Sequence, residues 1–222
     1  MTDQATVGQL PRVRVFIDFW NFQLILNERE AKKRNVRDFR FEVDWKIVGP
    51  WLARKACAAI GLTEHSFDGV IVYTSHDGRT EEGSKFHKWA TGWLDRQAGV
   101  TVECLERKPK APPKCPACHE TIITCPHCSQ TIRAMHEKGV DTLLVTDMIR
   151  LAWEEAYDLA VLASSDRDLI PAVNFLSQKG RKIVHAGFPP AGSELSAACW
   201  ASFDVFPSAK EIARAGTATA GK

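Results

Sequence analysis

No stretch of about 18 apolar residues occurs in the chain, so no membrane-spanning helix is expected. The N-terminus lacks a hydrophobic segment behind a basic one, so secretion is not expected either. Strong net charge is also missing. The formal value of +2 is too small to imply a nucleic-acid or membrane partner, and only the placement of basic residues can decide that. Nor is there a disulfide framework, since the seven cysteines are an odd number and four of them fall within fourteen residues. That usage points to metal in a reducing compartment, and the cytoplasm is the expected location. Two phosphate-binding signatures are lacking as well. The apolar run VRVFI (13–17) reads as a buried strand, but Asp-Phe-Trp-Asn follows it where a dinucleotide-binding fold has a glycine-rich turn. A GxxxxGK[ST] loop appears nowhere.

What is present is ordinary globular material, with 45% hydrophobic and 25% charged residues. The 222 residues suffice for one α/β domain with a small appendage. Residues 1–11 and 213–222 are expected as loose ends. Short β-rich apolar runs at 13–17, 69–74, 100–105, 159–163 and 182–186, with a short sixth at 203–206, read as strands. Between them, helical patterns cover 19–33, 44–60, 81–97, 140–156 and 169–178. Asp44 is the expected cap of the second helix, Gly61 its stop, and Pro50 a kink or break within it. In the third helix Phe86, Trp89, Ala90, Trp93 and Leu94 share an apolar face, which places Trp89 and Trp93 in the core. Strands alternating with amphipathic helices imply a mainly parallel sheet in a three-layer α/β/α arrangement. No internal repeat is evident.

Between the third strand and the next helix stands KCPACHETIITCPHCS (114–129). Each Cys-Pro-x-Cys turn, Cys115/Cys118 and Cys125/Cys128, puts two thiols on one side of a tight loop, and the spacer lets the loops face each other. Four such ligands suit a structural, tetrahedral Zn²⁺ with no position left for water. The alternatives are unliganded cysteines or one redox pair. His119 and His127 lie beside the ligands and read as exposed neighbours. Cys57, Cys104 and Cys199 lie in apolar contexts and read as core. The flanks are basic: Arg107, Lys108, Lys110, Lys114, Arg133 and Lys138 oppose three Glu between 105 and 139. They make either an arm for a phosphate backbone or merely a solvated loop.

Parallel sheets gather loops at the carboxyl ends of their strands, and several acids are expected there. Asp18 ends the first strand, Asp166 and Asp168 follow the fourth, and Asp141 opens the helix after the cysteine segment, with Asp147 further along it. Each acid has a simple explanation as a helix cap or first-turn charge. Gathered at one edge they repel, which implies Mg²⁺ or Mn²⁺ held through oxygen and able to activate water at a phosphodiester. Asp147 has the further option of pairing with Arg150. Trp20 either packs into the core or stacks a base.

The blocks FIDFWN, KGVDTLLVTDMIRLAWEEAYDLAVL and SSDRDLIPAV followed by KGRKIVHAG resemble the NYN domain, in its LabA-like branch of the PIN-like nuclease superfamily. That resemblance implies a Rossmann-like α/β/α fold and metal-dependent hydrolysis of RNA, with single-stranded RNA as partner. Asp18, Asp141, Asp147, Asp166 and Asp168 match the family's acids, and Asn21 its polar residue after the first strand. Asp18, Asp141 and Asp166 are the implied Mg²⁺ or Mn²⁺ ligands, while Asn21 and Ser165 orient water or phosphate. Ser165 and Leu169 replace the usual Gly and Phe of the third block. The domain divides as 12–108 and 133–207, with 109–132 as a zinc-knuckle insertion that assists RNA binding or stability, or serves a homodimer or a protein partner. The competing reading is a catalytically weak RNA-binding or adaptor module of the same fold.

Overall fold

The computed structural model describes residues 9–132 and 134–215. Six strands form one sheet: β1 (Arg12–Asp18), β2 (Ser66–His76), β3 (Val100–Glu106), β6 (Leu159–Ala163), β7 (Lys182–Gly187) and β8 (Ala201–Asp204). Their order is β3-β2-β1-β6-β7-β8, and every pairing is parallel. The winding reverses between β1 and β6, so two outgoing loops diverge there and leave a crevice. Alternation along the strands buries both faces. Val13, Val15 and Ile17 face a core shared with α1 (Phe19–Arg34) and α2 (Val48–Ala59), while Phe16 faces one shared with α4 (Val140–Trp153) and α5 (Ile170–Gln178). The expected three-layer α/β/α fold with a mainly parallel sheet is what the chain forms.

Two short elements on the β7 and β2 sides complete the layers: α6 (Ser193–Ala198) and α3 (Glu81–Gly92). Full burial of one large apolar side chain stabilises by about 1.5–3 kcal/mol. Leu26, Leu52, Leu144 and Leu162 are all fully buried, so tertiary packing rather than helix propensity fixes these elements.

Several boundaries differ from the sequence pattern, each for a local reason. The second helix begins at Val48, not at Asp44, whose side chain instead accepts from the Lys46 amide in a preceding turn. Pro50 therefore lies in the first helical turn, where its missing N–H has no partner to lose, and neither kinks nor splits the helix. The third helix ends at Gly92, so Trp93 falls beyond it and is 40% exposed rather than core. The last strand starts two residues early, at Ala201. A 3-10 turn (Arg167–Leu169) precedes α5, and Pro171 sits within that helix's first turn.

The cysteine segment rises on a two-stranded antiparallel ribbon, β4 (Lys108–Lys110) with β5 (Ala134–His136). It does contain a repeat, contrary to the sequence reading. KCPACHET and TCPHCSQT fold alike ten residues apart. Cys115 N–H donates to the Glu120 carbonyl as Cys125 N–H does to that of Gln130, both at 2.8 Å. His119 and Ser129 take the same left-handed backbone at φ 60° and 56°. Two eight-residue units are too short for periodicity to show against a background of Pro and Cys.

Candidate active site

Asp18 is the last residue of β1 and is 6% exposed. It caps α1, its Oδ1 accepting from the Asn21 amide at 3.2 Å. Its Oδ2 accepts from the Ser164 hydroxyl at 3.3 Å, just past the end of neighbouring β6. Ser164 Oγ also accepts from the Asp166 amide at 3.2 Å, and Asn21 Oδ1 accepts from the Ser165 amide at 2.8 Å. Two side chains thus lock the β1 and β6 loops together across the crevice. Asp166 in turn caps the following 3-10 turn, accepting from the Asp168 amide at 2.9 Å.

Behind this loop lies His185, fully buried in β7. Its Nε2 lies 2.6 Å from the Ser164 carbonyl and its Nδ1 2.7 Å from Ser196 Oγ. Burial lowers its pKa, so the ring is neutral. A carbonyl only accepts, hence Nε2 carries the proton and Nδ1 accepts from the serine.

The electrostatics are unfavourable without a counter-ion. Burial, then the charges of Asp141 and Glu137, raise the Asp18 carboxyl from 3.8 to about 6, against the lowering bonds from Asn21 and Ser164. Asp141 is raised by burial and by Asp166, Glu137 and Asp168. Among the described residues none of Asp18, Asp141, Asp166 and Asp168 is in an ion pair. The buried Ser165 hydroxyl beside them has no hydrogen-bond partner there either. This donor set fits a hard divalent cation. No three of the acids bring oxygens within 4.8 Å of one another, so the arrangement as it stands does not offer three direct carboxylate ligands to one ion.

Asp147 stands apart. Six residues along α4 it is nearly buried and accepts from the Tyr73 hydroxyl at 3.1 Å and from Arg150 at 3.0 Å. Six residues advance a helix by about 9 Å and turn it well past one full revolution, so Asp141 and Asp147 face different surroundings. The pairing with Arg150 is the one formed.

Glu137, which the sequence reading used only as an opposing charge, joins the acidic group. It meets the Ser75 hydroxyl, and Arg107 bridges both, to Ser75 Oγ at 2.9 Å and to Glu137 at 3.2 Å. Its signal was an acid four residues before Asp141 in the segment entering α4. Ser164 and His185 were also missed, because nothing local distinguishes a serine after a strand or a histidine within one. Trp20 is half-buried: its indole donates to the Ser75 carbonyl at 2.8 Å, Phe86 lies against it, and the Arg107 guanidinium sits 5.3 Å from the ring centre. Lys108, Lys110, Lys114 and Lys138 are exposed, and Arg133 lies outside the described residues.

A family model, that of the NYN domain, matches residues 12–205, nearly the whole of this sheet and its helices. The chain belongs to the NYN family. NYN domains fall within the PIN-like nuclease superfamily, are generally nucleases and typically use divalent metals. A crystal structure of a protein of unknown function from Vibrio parahaemolyticus shares the fold, with a TM-score of 0.50 at 15% identity over 90% of this chain and 96% of that one. No curated protein matches the chain. Among the described residues of this NYN protein no helix is long and apolar enough to cross a membrane.

In the arm, each Cys-Pro-x-Cys turn aims amides at its first sulfur. Cys118 and Ala117 amides lower the Cys115 thiol, and His127 and Cys128 amides lower that of Cys125. Such turns favour thiolates, the form that binds zinc. The expected four-cysteine centre is not formed here, since no three of these sulfurs lie within 4.8 Å of one another. His119 and His127 are exposed beside them.

Proposed function

We propose that this NYN protein, of the LabA-like branch, is a divalent-metal-dependent endoribonuclease acting in the cytoplasm on single-stranded RNA. The observation that carries the reading is the acidic group at the switch point. Four aspartates from three elements lie there without a basic partner among the described residues, and one is pushed up to about 6. Asp18, Asp141 and Asp166 would hold Mg²⁺ or Mn²⁺ directly or through water, with Asp168 alongside. Bound there, the ion supplies a water of lowered pKa and neutralises charge developing on the phosphate. Asn21 and the unpartnered Ser165 hydroxyl orient water or a phosphate oxygen. Ser164 and His185 hold the loop that presents Asp166. Asp147 serves the packing of α4 instead.

Arg107 sits against Ser75 and Glu137 beside the acidic group, and the exposed Lys108, Lys110, Lys114 and Lys138 lie in and next to the insertion at 109–132. This supports a polymeric phosphate backbone over a small phosphoester. Zinc drawing the two knuckles together would give the arm a fixed shape. In that case a Cys125→Ser variant holds one equivalent of zinc less and binds RNA more weakly, with a shallower salt dependence, in fluorescence-anisotropy titrations. Equal zinc content in both proteins would remove the knuckle from the account.

The activity is tested by incubating labelled single-stranded RNA with Mn²⁺ and either the unmodified chain or an Asp18→Asn plus Asp166→Asn variant. Cleavage by the first and its loss in the second is the expected result. Equal cleavage by both, or binding with none by either, would leave a binding or adaptor module.

A further inference from the structure

On the other face of the same sheet edge, three side chains that the acidic site does not use converge. His76 is the last residue of β2, Cys104 lies in β3, and His87 comes from α3, which covers that face. β2 and β3 are in register with Thr74 opposite Cys104, and alternation puts His76, two residues beyond Thr74, on the same side as the cysteine. One ligand atom from each of the three lies within 4.8 Å of the others, all half-buried. Cys104 Sγ is 3.5 Å from His76 Nδ1, and the two imidazoles stack with centres 4.2 Å apart. Zinc bonds of about 2.3 Å to sulfur and 2.0–2.1 Å to nitrogen at a tetrahedral angle require a sulfur-to-nitrogen edge of about 3.5 Å.

We propose that His76, His87 and Cys104 form a zinc site with three protein ligands and a fourth position open to water. One thiolate and two imidazoles select a borderline-soft ion and reject Mg²⁺ and Mn²⁺, so the site does not compete for the cation of the acidic group. Coordination replaces the thiol proton, which passes to solvent. The ion ties α3 to the ends of two strands. Ser75, next to His76, donates its hydroxyl to Glu137 and accepts from Arg107 on the opposite face, so the clamp stiffens one wall of the crevice.

The test measures zinc per chain in untagged full-length protein after equilibration with Zn²⁺ and removal of loose metal. His87→Ala, a helix-favouring change at a half-buried position, and His76→Gln each hold one equivalent less than the unmodified chain, whatever the arm binds. With Cys115, Cys118, Cys125 and Cys128 all changed to Ser, one equivalent remains and disappears on adding His87→Ala. Chelator competition shows that ion's affinity falling by about 100-fold or more in the variant. The same zinc content in unmodified and His87→Ala proteins, both folded by circular dichroism, overturns the site. That comparison decides even if the four-serine variant does not fold.

Discussion

Asp18→Asn is expected to reduce RNA cleavage by about 10²–10³-fold, the scale of losing one preorganised charge-stabilising group, and at the same time to stabilise the metal-free protein. Few active-site changes do both, and the reason is electrostatic. The asparagine keeps the shape: its one oxygen still accepts from the Asn21 amide, its NH2 turns to donate to the Ser164 hydroxyl oxygen, and a charge that burial, Asp141 and Glu137 all oppose is removed. Asp18 binds its proton more tightly in the folded chain, with a pKa of about 6 against 3.8 ordinarily. Its contribution to stability is therefore most favourable at low pH and declines as pH rises through that window. At pH 7 the asparagine should recover about 1–3 kcal/mol. Thermal melts in chelator then rise by roughly 2–4 °C per kcal/mol. Adding Mn²⁺ should raise the melting temperature of the unmodified protein only, and less so below pH 6, where protonated Asp18 no longer ligates. A variant as unstable as the parent at pH 7, or still responsive to Mn²⁺, would contradict the assignment.

The opposite signature is expected one helix face away. Asp147→Ala should cost about 1–3 kcal/mol, because it strands the hydroxyl of the fully buried Tyr73; Arg150, half exposed, keeps its pair with Glu154 and adds little. Cleavage per folded molecule should stay within about threefold, since the residue faces Tyr73 and not the acidic group. Asp141→Asn, earlier in the same helix, should show the reverse, with activity lost and melting temperature unchanged or higher. Urea unfolding and single-turnover cleavage on the two variants check the pair. Loss of cleavage in well-folded Asp147→Ala would return that acid to the site.

These two residues also show where sequence reading succeeds and stops. Both lie in one block, and only rotation along α4 separates their roles. Strand ends are easier: VRVFID and LAVLASSD mark where an apolar run meets acids, and parallel pairing of β1 with β6 then brings Asp18 beside Ser164. The strands of the sheet were legible because β-branched apolar runs are strong local signals. α6, β8 and the β4–β5 ribbon were missed or misplaced because six, four and three residues carry too little pattern, and packing decides them. Glu137 and Arg107 took part unseen, since their contacts link residues 30 apart in sequence. Cys104 read as a core residue. Its half-buried place beside two histidines depends on α3 crossing the end of β2 and β3, which no local spacing records.

The most direct test of the acidic site is a crystal of the unmodified protein soaked in Mn²⁺, with anomalous difference density measured at the metal edge. The account predicts a peak bounded by Asp18, Asp141 and Asp166, next to the Ser165 hydroxyl. No peak there at saturating Mn²⁺, with each carboxylate bonded only to its own helix N-terminus, would contradict it.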